Sequence, residues 1–185
     1  MIKDLLLETE GRMKKTVQAL EADLRAVRTG RASPALLERV MVEYYGALTP
    51  LNQLAVISAP EPQLLTIRPY DPSSLGEIER AILKSDLGLT PSNDGKIIRL
   101  VIPSLTEERR MELVRLVNRR VEEAKVSLRN VRREALDDLR EFEKEKLISE
   151  DDFYRGRDEL QELIDRYSEE VDRVGERKSR EVMEL

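Results

Sequence analysis

The sequence contains no cysteine and no histidine. Disulfides, thiolate zinc sites, thiol nucleophiles and imidazole general bases are therefore all excluded. Aromatic residues make up only 4% of the chain, whereas charged residues make up 37%. This balance predicts long solvated helices around a modest aliphatic core rather than a compact enzyme.

Long apolar runs are also missing, since none approaches the roughly 20 residues that span a bilayer. The N-terminal Met1-Ile2-Lys3-Asp4 leads directly into mixed acidic and apolar residues, unlike a signal peptide or a transit segment. The phosphate-binding pattern GxxxxGK[ST] does not occur either. We therefore expect a cytoplasmic protein with no membrane partner, no metal and no cofactor.

Proline is confined to one part of the chain, because all eight prolines fall between Pro34 and Pro103. Charge changes at the same borders, with 14 charged residues among the 71 from Pro34 to Ser104 and 55 among the other 114. This predicts one domain made of residues 1–30 and 104–185, with a second domain, residues 31–103, inserted into it.

Three segments outside the insert carry apolar residues at helical spacing. The first runs from Ile2 to Val27 and ends at Gly30, the second covers 105–147, and the third follows Ser149. Two capping boxes mark the later helix starts: Ser104 with Glu107, and Ser149 with Asp152. We predict a long antiparallel three-helix bundle that is discontinuous in sequence.

The insert shows the alternation and β-branched runs of strands at 38–45, 54–58, 64–68 and 96–102. One helix interrupts them, with start signals at Asp71-Pro72 and at Ser74 with Glu77, and Gly88 after its end. The predicted fold class is therefore α+β: the bundle plus a small, β-rich α/β insert with one helix.

The insert joins the bundle by two chain crossings, and both carry candidate hinge residues: Gly30, Arg31, Pro103 and Ser104. Few sequence-local contacts cross there, so a hinge is expected. The alternative is that Gly30 only caps the first helix and Pro103 only precedes the second.

The second helix has an excess of positive charge between Arg109 and Arg133. Nine basic residues stand against three acids, giving +6 locally in a chain of net charge -5. On a helical wheel, one sector of this helix faces away from the apolar seam of Val114, Val121 and Leu128. The basic residues in that sector form a stripe about 27 Å long. We place in it Arg115, Arg119, Lys125, Arg129, Arg132 and Arg133.

A solvated helix face would explain most charge runs, but three acids cannot neutralise nine cations. Arginine in eight of the nine positions favours phosphate recognition. The stripe alone leaves nucleic acid and an acidic protein groove both open. Among nucleic acids, folded RNA suits a rigid stripe better than the major groove of a duplex.

Several segments resemble the bacterial ribosome recycling factor family. The strongest is Val126-Ser127-Leu128-Arg129-Asn130-Val131-Arg132-Arg133-Glu134-Ala135. Others, in matching order and over the whole length, are Arg28-Thr29-Gly30-Arg31-Ala32-Ser33-Pro34, Val42-Glu43-Tyr44-Tyr45-Gly46, Ser85-Asp86-Leu87-Gly88-Leu89, Leu105-Thr106-Glu107-Glu108-Arg109-Arg110 and Ser149-Glu150-Asp151-Asp152.

The resemblance implies an L-shaped monomer of roughly tRNA dimensions, a translation factor and not an enzyme. It would bind large-subunit ribosomal RNA on the ribosome and, with elongation factor G and the GTP bound by that partner, split the post-termination complex. Matching motifs make Arg132 the first candidate for an RNA contact. The further candidates are Arg129, Arg133, Arg110, Arg109, Arg28 and Arg31.

Two other functions compete with RNA binding. An enzyme could use the acidic Glu150-Asp151-Asp152 as a cation site, although acids in a first helical turn commonly cap it. A coiled-coil adaptor could bind protein through the apolar seams. One of the adjacent Tyr44 and Tyr45 could also stack on RNA, because neighbouring strand residues point to opposite faces.

Overall fold

A computed structural model describes residues 1–184 and is mostly helical with a small sheet portion, which confirms the α+β fold class. In chain order its elements are α1 (Ile2–Arg25), β1 (Met41–Tyr44), β2 (Ala47–Pro50), the single turn α2 (Leu51–Leu54), β3 (Ala55–Glu61), β4 (Leu64–Pro69), α3 (Leu75–Lys84), β5 (Pro91–Asn93), β6 (Ile98–Val101), α4 (Glu107–Lys144) and α5 (Glu150–Met183).

The chain divides into two compact units. One consists of Met1–Leu24 with Val114–Arg180, and the other of Arg25–Leu113 with the residues from Glu181 onward. The boundaries at residues 30 and 103 stay a prediction. Within residues 1–184, no helix is both long enough and apolar enough to cross a membrane.

The first unit is a bundle in which α4 runs antiparallel to both α1 and α5, while α1 and α5 run in the same direction. The contacts that fix these directions are Arg12 with Glu134 (2.7 Å), Thr16 with Ser127 (3.4 Å), Lys125 with Asp172 (2.7 Å) and Tyr167 with Glu10 (2.8 Å). Buried side chains at helical spacing line its seam, including Met13, Val17, Leu20, Val117, Leu128, Leu139, Leu160 and Val171.

Gly175 lets α5 approach α4 closely. A Cβ atom at this position would lie 2.5 Å from Cγ2 of Val121. Real side-chain atoms do not come so close, and the β-branched Val121 has little rotamer freedom in a helix. The separation of α4 and α5 at this level therefore depends on a residue without a side chain.

Two predicted helix ends are wrong. The first helix ends at Arg25 rather than at Gly30, and the Thr29 hydroxyl beyond it accepts a hydrogen bond from the Arg31 backbone N–H (3.3 Å) in a local turn. Ser104 does not cap α4, because its hydroxyl accepts a hydrogen bond from Gln63. Thr106 caps α4 instead, through the N–H of Arg109 (3.1 Å).

The capping box at the start of α5 is confirmed. The hydroxyl of Ser149 accepts a hydrogen bond from the Asp152 N–H (3.0 Å), and the Asp152 carboxylate accepts one from the Ser149 N–H (3.4 Å). Two otherwise unsatisfied amide groups are thus bound reciprocally.

The insert contains two antiparallel sheets, β1-β2 and the four-stranded β3-β4-β6-β5. The four predicted strands are present with shifted ends, and β2 and β5 were missed. Both contain proline and neither has a buried side chain, so neither shows the alternation of a half-buried strand.

The insert encloses its own core. Fourteen buried apolar residues form one cluster drawn entirely from residues 36–102: Leu36, Leu37, Val40, Val42, Leu51, Ala55, Leu65, Ile67, Ile78, Ile82, Leu89, Ile98, Leu100 and Ile102. The helix α3 begins after a turn that is capped by Asp71, whose carboxylate accepts from the Ser73 N–H (3.0 Å). Ser74, the predicted cap, instead donates its hydroxyl to the Asp71 carbonyl.

Candidate RNA-binding surface

The outer face of α4 carries four exposed arginines on one side of the helix: Arg115, Arg119, Arg129 and Arg133. They lie opposite the buried stripe that contains Val117, Ala124 and Leu128. Within residues 1–184 none of the four has a carboxylate within ion-pair distance. We call these residues the outer arginines.

Lys125 and Arg132 do not share that face, which corrects the helical-wheel prediction. Lys125 forms an ion pair of 2.7 Å with Asp172 of α5, and only 24% of its side chain is exposed. Arg132 is half-buried, and its Nη1 donates to Oε1 of Gln161 (2.9 Å). Both side chains lie along the edge of α4 that faces α5, because their positions fall at the border of the buried stripe.

Two further arginines of α4 are paired along the helix itself. Arg109 contacts Glu112 (2.8 Å) and Arg120 contacts Glu123 (3.1 Å), each pair three residues apart and exposed. Such pairs contribute little to stability in water, and they reduce the charge available to a polyanion. The prediction that pairing fails therefore holds for only part of the stripe.

Six of the nine cations have no acidic partner within the described residues: Arg110, Arg132 and the four outer arginines. Arg132 is the one of these that contacts a neutral side chain on a neighbouring helix. The surface thus combines four exposed cations, the partly buried Arg110, and Arg132, which is hydrogen-bonded to α5.

The partners on α5, Gln161 and Asp172, were missed by the sequence reasoning. Their contacts with α4 depend on the register between two helices that are far apart along the chain. The one local signal is the spacing of Gln161 and Asp165, which are four residues apart and therefore neighbours on the helix surface.

Arg28 was predicted to contact RNA, and the structure places it within the second unit against the other chain crossing. Its Nη2 donates to the carbonyl of Pro103 (2.6 Å), while its Nε is buried without a hydrogen-bond partner. Burial, with the charge of Arg109 as the smaller cause, lowers the pKa of Arg28 from its ordinary value. Arg28 therefore joins the two crossings.

The remaining crossing residues lie close together. Arg31 and Arg110 line one cleft with Gly30 and Ser104. The Arg110 Nε is buried and has no hydrogen-bond partner among the described residues. A Cβ atom at Gly30 would meet nothing within 4 Å, and its φ angle is not positive, so no backbone constraint requires glycine there.

Tyr45 is the exposed member of the tyrosine pair. Its side chain is 83% exposed and its φ angle is +48°, in the left-handed region that tyrosine rarely adopts. Tyr44 is half-buried, and its hydroxyl donates to Asp71 (2.9 Å); this hydrogen bond is the main cause that raises the pKa of Tyr44. The two rings meet edge to face at 4.5 Å.

The acidic start of α5 serves as a helix cap. Asp152 takes part in the capping box with Ser149 and lies 3.6 Å from Arg155. Across residues 1–184, no three acidic side chains gather in a group that could hold a metal ion.

Comparisons with known proteins agree with one another. A family model described as ribosome recycling factor matches residues 20–183. The ribosome-recycling factor of Heliobacterium modesticaldum is 58% identical over 185 residues, which covers 100% of both chains. A solution structure of the ribosome recycling factor is similar with a TM-score of 0.80 and 42% identity, covering 100% of this chain and 98% of that chain.

A second similar structure contains a relative together with another factor. It contains the T. thermophilus ribosome recycling factor and the E. coli elongation factor G bound to the E. coli post-termination complex. That recycling factor is 46% identical, with a TM-score of 0.69 and 100% of both chains covered.

Proposed function

Because the chain belongs to the ribosome recycling factor family, we propose that it binds the large ribosomal subunit after termination and splits the post-termination complex together with elongation factor G and GTP. The observation that carries this proposal is the outer face of α4 with Arg132 beside it. Exposed arginines without acidic partners are suited to the phosphates of folded RNA.

We propose that the chain performs no chemical turnover of its own. It has neither cysteine nor histidine, and it lacks a phosphate-binding loop, so the GTP would be bound by the partner factor. It would act as a monomer in the cytoplasm, where translation terminates.

We also propose domains of residues 1–30 with 104–185 and of residues 31–103, with a hinge at Gly30, Arg31, Pro103 and Ser104. The closed core within residues 36–102 supports the inserted domain as a separate folding body. The predicted RNA contacts Arg28, Arg31, Arg109 and Arg110 are kept as secondary candidates. Of these, Arg28 donates to the carbonyl of Pro103, and Arg109 is ion-paired with Glu112.

A splitting assay tests the function. Post-termination ribosomes are incubated with this protein, elongation factor G and GTP, each omitted in turn, and free subunits are measured by light scattering. We expect splitting to require all three. Splitting that proceeds without this protein would refute the function, and splitting without elongation factor G would refute that partnership.

Substitution of Arg132 tests the surface. We expect Arg132→Ala to weaken binding to isolated large subunits roughly 10- to 100-fold, because a charge-assisted contact is lost. Helicity should be unchanged, since alanine is a good helix former. The matched control is Arg140→Ala, which removes an exposed α4 arginine that contacts Asp137 at 3.6 Å. Equal affinities of the two variants would contradict the assignment.

A further inference from the structure

A short chain of hydrogen bonds connects Arg132 of α4 to two residues of α5. Nη1 of Arg132 donates to Oε1 of Gln161 (2.9 Å), and Nε2 of Gln161 donates to Oδ1 of Asp165 (2.9 Å). Gln161 and Asp165 are one helical turn apart, so they share a face of α5. The two hydrogen bonds therefore run in one direction: the Asp165 carboxylate accepts from the Gln161 amide, and the Gln161 amide oxygen accepts from the Arg132 guanidinium.

The Asp165 carboxylate accepts a hydrogen bond from the NH₂ group of the Gln161 amide. An ionised carboxylate can only accept hydrogen bonds, so it selects the NH₂ end of the amide. The oxygen end is then presented to Arg132. If the Asp165 carboxylate were absent, the amide could turn its NH₂ group towards the guanidinium, and donor would face donor.

Gln161 holds Arg132 without cancelling its charge. A guanidinium has five N–H donors, and the Gln161 contact uses the Nη1 side while the others remain for a ligand. A carboxylate in the same place would neutralise the cation, as Asp172 does for Lys125 at 2.7 Å. A neutral acceptor thus suits an arginine that has to meet a polyanion.

The contrast with the outer arginines shows what this contact adds. Arg129 and Arg133 are exposed and have no side-chain partner among residues 1–184. They keep their rotamer freedom until a ligand binds, and ordering them then opposes binding. Arg132 already has a hydrogen-bond partner before the ligand arrives.

We propose that Gln161 and Asp165 are positioning residues for Arg132, holding its guanidinium in a fixed and still charged state for contact with ribosomal RNA. This inference rests on the proposed function. Its alternative is that the hydrogen bond between Arg132 and Gln161 only helps to join α4 to α5, with no effect on binding.

A double-mutant cycle separates these two possibilities. Dissociation constants for isolated large subunits are measured for the wild type, Arg132→Ala, Gln161→Ala and the double variant, at an ionic strength low enough to keep all four measurable. We expect Gln161→Ala to weaken binding roughly 3- to 30-fold in the wild-type background and to have no effect once Arg132 is absent.

Two conservative variants sharpen the test. Gln161→Glu would still accept from Arg132 but would neutralise it, so we expect weaker ribosome binding than in the wild type. Asp165→Asn can donate as well as accept and no longer selects the NH₂ end of the Gln161 amide, so we expect it to weaken binding, as Asp165→Ala should. The control for lost charge is Glu169→Ala, since Glu169 is an exposed α5 carboxylate that contacts Arg173 within the same helix at 3.4 Å.

The outcomes separate the positioning role from the function itself. Equal effects of Gln161→Ala in both backgrounds, or full affinity of Gln161→Glu, would overturn the positioning role while leaving Arg132 as an RNA contact. An undiminished affinity of Arg132→Ala would overturn both. Circular dichroism and thermal unfolding of every variant show whether the bundle has stayed folded.

Discussion

The bundle and the insert are built from the same aliphatic side chains but distribute charge differently. In α4 the stretch from Arg109 to Arg133 carries nine cations against three acids, whereas residues 40–67 of the insert contain no lysine or arginine at all. Strong binding of RNA phosphates needs clustered cations. The comparison teaches that affinity for RNA should reside in the bundle, while the insert contributes a separately packed body.

The two units also use glycine differently. Gly175 of the bundle permits a close helix contact, since a Cβ atom there would collide with Val121. Gly46 of the insert has a φ angle of +79° and open space around it, so its role is to allow the turn between β1 and β2. One unit depends on close packing and the other on turn geometry.

The largest expected effect tests whether the two cores are separate. Leu128 of the bundle and Leu100 of the insert are both fully buried. Replacing either with alanine leaves a cavity, and we expect a loss of about 2–5 kcal/mol in the unfolding free energy of its own unit. Hydrogen exchange resolved by residue measures this.

The expected pattern is selective loss of protection. Leu100→Ala should lower protection in β4 and β6 but not at the centre of α4, and Leu128→Ala should do the reverse. If either variant lowered protection equally in both units, the chain would unfold as one cooperative body and the comparison would fail.

A smaller effect is expected from glycine substitution in the bundle. Gly175→Ala should lower the unfolding free energy by about 1–3 kcal/mol, because α5 must move away from Val121. The matched control is Gly11→Ala in α1, where a Cβ atom meets nothing within 4 Å. That variant should gain about 0.5–1 kcal/mol from helix propensity. Urea unfolding followed by circular dichroism compares them, and a stabilised Gly175→Ala would show that the contact relaxes easily.

Sequence patterns predicted every helix except the single turn α2, as well as four strands and the α5 cap, because those depend on local periodicity and on residues close in the chain. The strand β5 was missed because it begins with proline and gains its hydrogen bonds from β6 rather than from its own pattern. The Ser104 cap was wrong for a similar reason, since Gln63 occupies that hydroxyl from a distant loop.

The candidate RNA-binding surface could likewise be predicted only in part from the sequence. Counting charges located α4, and family motifs selected Arg132 within it. Neither could show that Lys125 is neutralised by Asp172 or that Arg132 meets Gln161, because both contacts depend on the register of α4 against α5. Contacts between distant segments are set by packing, which a local pattern does not contain.

The last and smallest effect is the pH response that one titratable group adds to each unit. In the insert, Asp94 accepts hydrogen bonds from the N–H groups of Ile97 and Lys96 and from Arg99, and these lower its pKa from 3.8 to about 2. In the bundle, burial and the hydrogen bond to Glu10 raise the pKa of Tyr167 from 10.0 to about 12. Asp94 should therefore make the insert less stable in acid, and Tyr167 should make the bundle less stable in alkali.

The sign follows from the direction of each shift. The lowered pKa of Asp94 gives stability that is present above its unfolded value and is lost as the pH falls through about 2. The raised pKa of Tyr167 gives stability that is present below pH 10.0 and is lost as the pH rises through about 12. We expect Asp94→Asn to flatten the acid dependence of the insert, and Tyr167→Phe the alkaline dependence of the bundle. Both pH dependences are measured by urea unfolding of the whole protein, followed by NMR signals from residues of each unit. An acid transition in the insert that Asp94→Asn leaves unchanged would assign that sensitivity to other carboxylates.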